Sequence, residues 1–124
     1  MALRVPDSFL GRFRERDTPV LRAMVKDNSA TPVAIPGSSL DTMTLTMYDE
    51  ATSAIVNARD HVDVKANVDG NGLLTFQLTT ADMAILAATK SLEQRRILLE
   101  WTWDTTKRGS WEIQFIVVNL LKVP

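Results

Sequence analysis

All three tryptophans of the chain fall in two alternating runs, Ile97-Leu98-Leu99-Glu100-Trp101-Thr102-Trp103 and Trp111-Glu112-Ile113-Gln114-Phe115-Ile116-Val117, separated by a polar stretch. A period of two sends successive side chains to opposite faces of a strand, so two such runs joined by a turn read as a β-hairpin. With Asp104 to Ser110 as the turn, Trp103 faces Trp111, Trp101 faces Ile113 and Leu99 faces Phe115. Cross-strand pairs of this kind each contribute roughly 0.2–1 kcal/mol over alanine pairs. Trp101 and Trp103 share a face with Ile97 and Leu99 and are assigned to the core, while Glu100 and Glu112 fall on the opposite, solvent face.

The same alternation recurs upstream. Leu21, Ala23 and Val25 oppose Val20, Arg22, Met24 and Lys26, and Met43, Leu45 and Met47 oppose Thr42, Thr44 and Thr46. Both read as strands with one buried face. A return segment at Ala54-Ile55-Val56-Asn57, a strand over His61 to Val68 and another over Leu73 to Leu78 follow, the last two joined by Asp69-Gly70-Asn71-Gly72, a strong hairpin signal. Thr79 or Thr80 caps one short helix carrying Asp82 in its first turn and running into Met83 to Ala88. Short strands at regular spacing with a single short helix predict an all-β fold: an immunoglobulin-like antiparallel β-sandwich over residues 18–124. Residues 1–17 form an extended N-terminal docking arm, because Phe9, Leu10 and Phe13 among Arg4, Arg12, Arg14 and Arg16 follow neither a strand nor a helix period.

At 124 residues the chain is long enough to bury one core, and without cysteine its stability rests on packing. The absence of cysteine also excludes thiolate nucleophiles and thiolate metal sites and fits synthesis in a reducing cytoplasm. A net charge of −1 offers no general attraction to phosphate, so neither nucleic acid nor an anionic membrane is an expected partner. Neither a membrane-spanning apolar run nor a secretory leader is read in the sequence.

No catalytic constellation stands out. His61 lies beside Asp60 and Asp63, but strand neighbours point to opposite faces, and it reads as an exposed histidine. Asn67, Asp69, Asn71 and Gly72 copy the opening of a calcium loop, yet Leu78 stands where the bidentate glutamate belongs, and the segment reads as a turn. Glu93, Glu100, Asp104 and Glu112 cluster around the hairpin, but Glu100 and Glu112 fall on the solvent face with no apolar pocket to raise either pKa as a glycosidase pair requires. Neither enzyme activity, cofactor nor metal is expected.

The candidate contact residues are therefore those that anchor interfaces. Phe9, Arg12, Phe13, Arg14 and Arg16 of the arm combine aromatic and guanidinium groups. Ile116, Val118 and Leu120 add apolar side chains on the face of the last strand opposite Phe115 and Val117.

The segment from Leu40 to Val123 resembles a group of small immunoglobulin-like virion proteins of tailed bacteriophages. Leu45-Thr46-Met47-Tyr48-Asp49, Ile55-Val56-Asn57-Ala58-Arg59-Asp60, Leu74-Thr75-Phe76-Gln77-Leu78 with Ala81-Asp82-Met83-Ala84-Ile85-Leu86, and the tryptophan hairpin through Asn119-Leu120 carry the likeness. In layout the chain is also similar to the N-terminal domain of phage baseplate upper proteins. The resemblance implies a non-enzymatic structural component of the virion, made in the host bacterial cytoplasm. Such a component is multi-copy, and the resemblance does not itself place it on shell, neck or tail. This chain is expected, in a symmetric assembly, to decorate or join the head or head-to-tail region by docking on capsid, portal, neck or tail subunits. The alternative is a carbohydrate- or receptor-binding module of a phage tail or baseplate, which requires an exposed tryptophan platform.

Overall fold

The computed structural model describes residues 5–120. Its strands are β1 (Ser8–Arg14), β2 (Val20–Met24), β3 (Leu40–Asp49), β4 (Val62–Asp63), β5 (Leu73–Gln77), β6 (Leu92–Trp103) and β7 (Lys107–Val118). They form a five-stranded sheet in the order β1-β7-β6-β3-β4 and a two-stranded sheet of β2 with β5. The protein is mostly β, as expected. One core joins the sheets: Leu21 and Leu74 of the small sheet lie with Met43, Leu45, Met47, Ile97, Leu99, Trp101, Trp103, Ile113, Phe115 and Val117 of the large one. Among the described residues no helix is long and apolar enough to cross a membrane.

The hairpin of β6 and β7 exists, in a register that differs from the expected one. Trp103 pairs with Lys107, Trp101 with Gly109, Leu99 with Trp111 and Arg95 with Phe115. Asp104 and Thr105 take left-handed backbone angles, φ 50° and 64°, and close the turn at once. Gly109 consequently lies inside a strand, where the Trp101 ring packs on its Cα: a Cβ there would stand 2.5 Å from the indole. Glycine in a strand marks close approach as readily as a turn.

The described part of the N-terminal arm includes a strand. Ser8–Arg14 is the edge strand β1, and it runs parallel to β7, so the large sheet is not wholly antiparallel. Its broken periodicity has a cause: the register shifts between Phe9 and Gly11, a bulge that inserts Leu10. Phe9 therefore pairs beside Gln114, Gly11 beside Phe115, Arg12 beside Ile116 and Phe13 beside Val117.

Three further expectations are corrected. The strand over His61 to Val68 reduces to Val62–Asp63, because His61 turns through φ 52° and a 3₁₀ turn takes Lys65–Asn67. The Asp69–Gly72 turn forms, with the Asp69 carboxylate accepting the Asn71 and Leu73 amides at 2.8 and 3.0 Å, but only an isolated bridge links Val68 to Leu74. The strand after it, β5, pairs with β2 instead.

The short helix after Thr79 is one 3₁₀ turn, Thr80–Met83, closed by a capping box of Thr79 and Asp82. Tertiary bonds compete with its continuation. The Asp82 and Ala84 carbonyls accept from the Arg95 guanidinium, and the Glu93 carboxylate accepts the Leu86 and Ala87 amides at 2.8 and 2.9 Å. Backbone groups satisfied in this way gain little from a helix.

Candidate interaction surface

Residues paired across neighbouring strands share a face, so the register reads as rows across the large sheet. On the face turned away from the core, Phe9, Gln114, Arg96 and Tyr48 form one row, and Arg12, Ile116 and Gln94 the next. Arg14, Val118 and Leu92 follow them toward the end of β7, while Glu112, Leu98 and Thr46 lie on the other side. The small sheet packs on the opposite face, through the core of Leu21 and Leu74.

This register gathers most of the predicted contact residues. Phe9 is 54% exposed beside the exposed Arg12 and Arg14, and the half-buried Ile116 and Val118 lie alongside. Leu120 is exposed just past the end of β7, and Arg16 sits in the turn after β1 at φ 76°. Phe13 is set apart from them: it packs against the core, with its ring centroid 6.4 Å from that of Phe115. The bulge separates the two phenylalanines, one outward and one inward, and it cannot be seen without the partner strand.

Beneath the exposed groups lies a buried polar network that sequence reasoning missed. The Arg96 guanidinium donates to Glu50 at 2.6 Å and to Glu112 at 3.3 Å, and the Gln114 amide donates to the same Glu50 oxygen at 2.6 Å. The Tyr48 hydroxyl donates to Glu112, whose own amide donates to the Asp7 carboxylate at 2.7 Å. Glu112 is only 4% exposed, so its place on the outward face does not make it solvated. Burial opposes the charge on Arg96, but the bonds to Glu50 and Glu112 outweigh it and hold the guanidinium more basic than usual. Burial, then the bond to Glu112, pushes Tyr48 up to about 12. Two carboxylates sharing one arginine, with the tyrosine proton committed to one of them, stiffen the sheet rather than carry protons. The sequence signal was the outward spacing of Tyr48, Arg96 and Glu112, unreadable until the register aligned them.

A second buried cluster ties down the 3₁₀ turn Thr80–Met83. Asp82, fully buried, accepts from Asn57 at 2.9 Å, from Arg59 at 2.9 and 3.1 Å and from the Thr79 amide at 2.7 Å. His61 is exposed in its turn, with Nδ1 2.6 Å from Asp60 and Nε2 3.6 Å from Glu100. Among the described residues no group of three or more His, Asp or Glu side chains is placed to hold a metal ion.

The tryptophans divide. Trp101 and Trp103 are 5% and 7% exposed, core residues as read from sequence, whereas Trp111 is 41% exposed on the rim of a cleft. Comparison of the chain with protein-family models, with characterised proteins and with solved structures returns no match.

Proposed function

We propose that this protein is a non-enzymatic structural component of a tailed-phage virion, an immunoglobulin-like β-sandwich that docks on neighbouring virion proteins in the head or head-to-tail region. The observation that carries the reading is the convergence of Phe9, Arg12, Arg14, Ile116 and Val118 on one sheet face. Aromatic and arginine side chains over a half-buried apolar floor are the composition of an interface centre. The network of Glu50, Arg96 and Glu112 beneath them makes that face rigid, which lowers the ordering cost of association. In a symmetric multi-copy particle such contacts repeat, and a modest interface per copy suffices. The family resemblance of residues 40–123 supplies the virion context.

The test is incorporation into particles of the encoding phage. Phe9→Ala combined with Arg12→Glu leaves the fold intact, since both side chains are exposed, and lowers incorporation about tenfold or more if they lie at the centre of the contact. Unchanged incorporation removes the docking face. Gold-labelled antibody on purified particles then separates shell, neck and tail, and no label on intact or opened particles overturns the virion reading.

A further inference from the structure

Trp111 pairs with Leu99 on the core face of the large sheet, yet its indole stays exposed. It borders an open cleft of about 500 Å³ that Arg22 and Met24 of β2 and Lys26 just past it also line. That volume accommodates a small ligand. The indole Nε1 donates to Ser8 Oγ at 3.1 Å, which fixes the ring at the cleft.

We infer that this cleft binds a saccharide bearing a carboxylate group, with Trp111 as the stacking platform and Arg22 and Lys26 as the anion contacts. A pyranose presents an apolar C–H face to an indole and hydroxyls at its edge, and so needs one fixed aromatic ring and directional polar groups around it. Arg22 and Lys26 are exposed, and neither has a carboxylate partner among the described residues, whose ion pairs involve Arg59, His61, Arg95, Arg96 and Lys107. The acidic groups of the cleft are already engaged. Asp7 accepts the Glu112 amide at 2.7 Å, and Asp27 accepts the Val33 amide at 3.0 Å. Both carboxylates keep their charge but are held by backbone amides, so Arg22 and Lys26 are the charged groups left to turn toward a ligand.

The open edge of β7 excludes an added peptide strand. Asn28 Nδ2 caps the Arg108 carbonyl at 2.5 Å, and Asp7 takes both the amide and the carbonyl of Glu112. Strand alternation leaves Ser110 between them, directing one N–H and one C=O into the cleft. One amide pair serves the hydroxyls of a sugar ring, whereas strand addition needs a run of them. This inference stands apart from the virion reading, because the cleft and the proposed docking face lie on different surfaces.

Isothermal calorimetry of the whole protein with trigalacturonate, and with maltotriose as the neutral control, tests it. The expected result is saturable binding of trigalacturonate that is about tenfold weaker for Trp111→Ala, retained in large part by Trp111→Phe, and about tenfold weaker for Arg22→Gln with Lys26→Gln. Maltotriose binds more weakly, and far-ultraviolet circular dichroism and urea midpoints confirm that each variant is folded. No saturable heat with trigalacturonate, binding unchanged in folded Trp111→Ala, or equal binding of maltotriose overturns the proposal.

Discussion

The Phe13 ring centroid lies 6.4 Å from that of Phe115, with the ring planes at 58°, a tilted contact that joins edge strand β1 to the core. Four residues earlier, Phe9 stands 54% exposed on the other face. The two phenylalanines therefore answer different measurements. Phe13→Ala is expected to lower stability by about 2–4 kcal/mol, near the low end of buried aromatic truncations because Phe13 is only half-buried. Phe9→Ala is expected to change it by less than about 1 kcal/mol. Urea unfolding of both variants checks this, and equal losses would contradict the bulged register of β1.

Much of the fold was legible because one buried face imposes a period of two. Met43, Leu45 and Met47, and Ile97, Leu99, Trp101 and Trp103, fall where alternation places them, in the core. What failed depended on partners distant in sequence. The bulge at Leu10 disguised β1 as an aperiodic arm, and the left-handed Asp104 and Thr105 shifted the hairpin, since Thr105 is not a residue that announces such a turn. Glu112 read as solvated because its own strand cannot show that Tyr48 and Arg96 close over it. The contact residues were read from composition, but their assembly on one face needed the parallel pairing of β1 with β7, which no local signal encodes.

Gly109 tests the corrected hairpin register. A Cβ added there would stand 2.5 Å from the Trp101 indole, whose Nε1 is itself bonded to the Lys26 carbonyl at 3.2 Å. The ring cannot retreat without losing that bond and its place in the core. Gly109→Ala is expected to destabilise the protein by about 1–3 kcal/mol, the usual cost of overpacking. Gly70→Ala serves as the control, because a Cβ there meets nothing within 4 Å. Were Gly109 a turn residue, as the sequence reading had it, thermal unfolding would show both substitutions to be mild.

Asp82 links stability to acid. Burial works to raise its pKa, but the bonds from Arg59, Asn57 and the Thr79 amide outweigh that and hold it below the ordinary 3.8. The unfolded chain thus takes up this proton at a higher pH than the folded one. The contribution of Asp82 is complete above 3.8 and is lost as pH falls through the lower folded value. Asp82→Asn is expected to cost about 3 kcal/mol at neutral pH, as for a broken buried pair. The gap between variant and parent in urea unfolding should narrow at about pH 3, where the unfolded carboxylate protonates. A gap that does not change with pH would assign the loss to packing alone.

Tyr48 is the only tyrosine in the chain, so its ionisation can be followed without interference. Burial, then the hydroxyl's bond to the Glu112 carboxylate, raises it from 10.0 to about 12. The folded protein therefore keeps this proton across a range in which the unfolded chain has lost it. Its contribution to stability is present below 10.0 and disappears as pH rises toward 12. Absorbance titration of the tyrosinate band is expected to give a midpoint near the unperturbed value in concentrated urea and a midpoint raised toward 12 in the native protein, unless alkaline unfolding comes first and releases the phenol abruptly. Glu112→Gln removes the charge that opposes ionisation, and the native midpoint should move back toward the unperturbed value. A native titration that already coincides with the urea curve, under conditions where circular dichroism reports a folded chain, would mean that the hydroxyl faces solvent and that the network of Tyr48, Glu112 and Arg96 does not close.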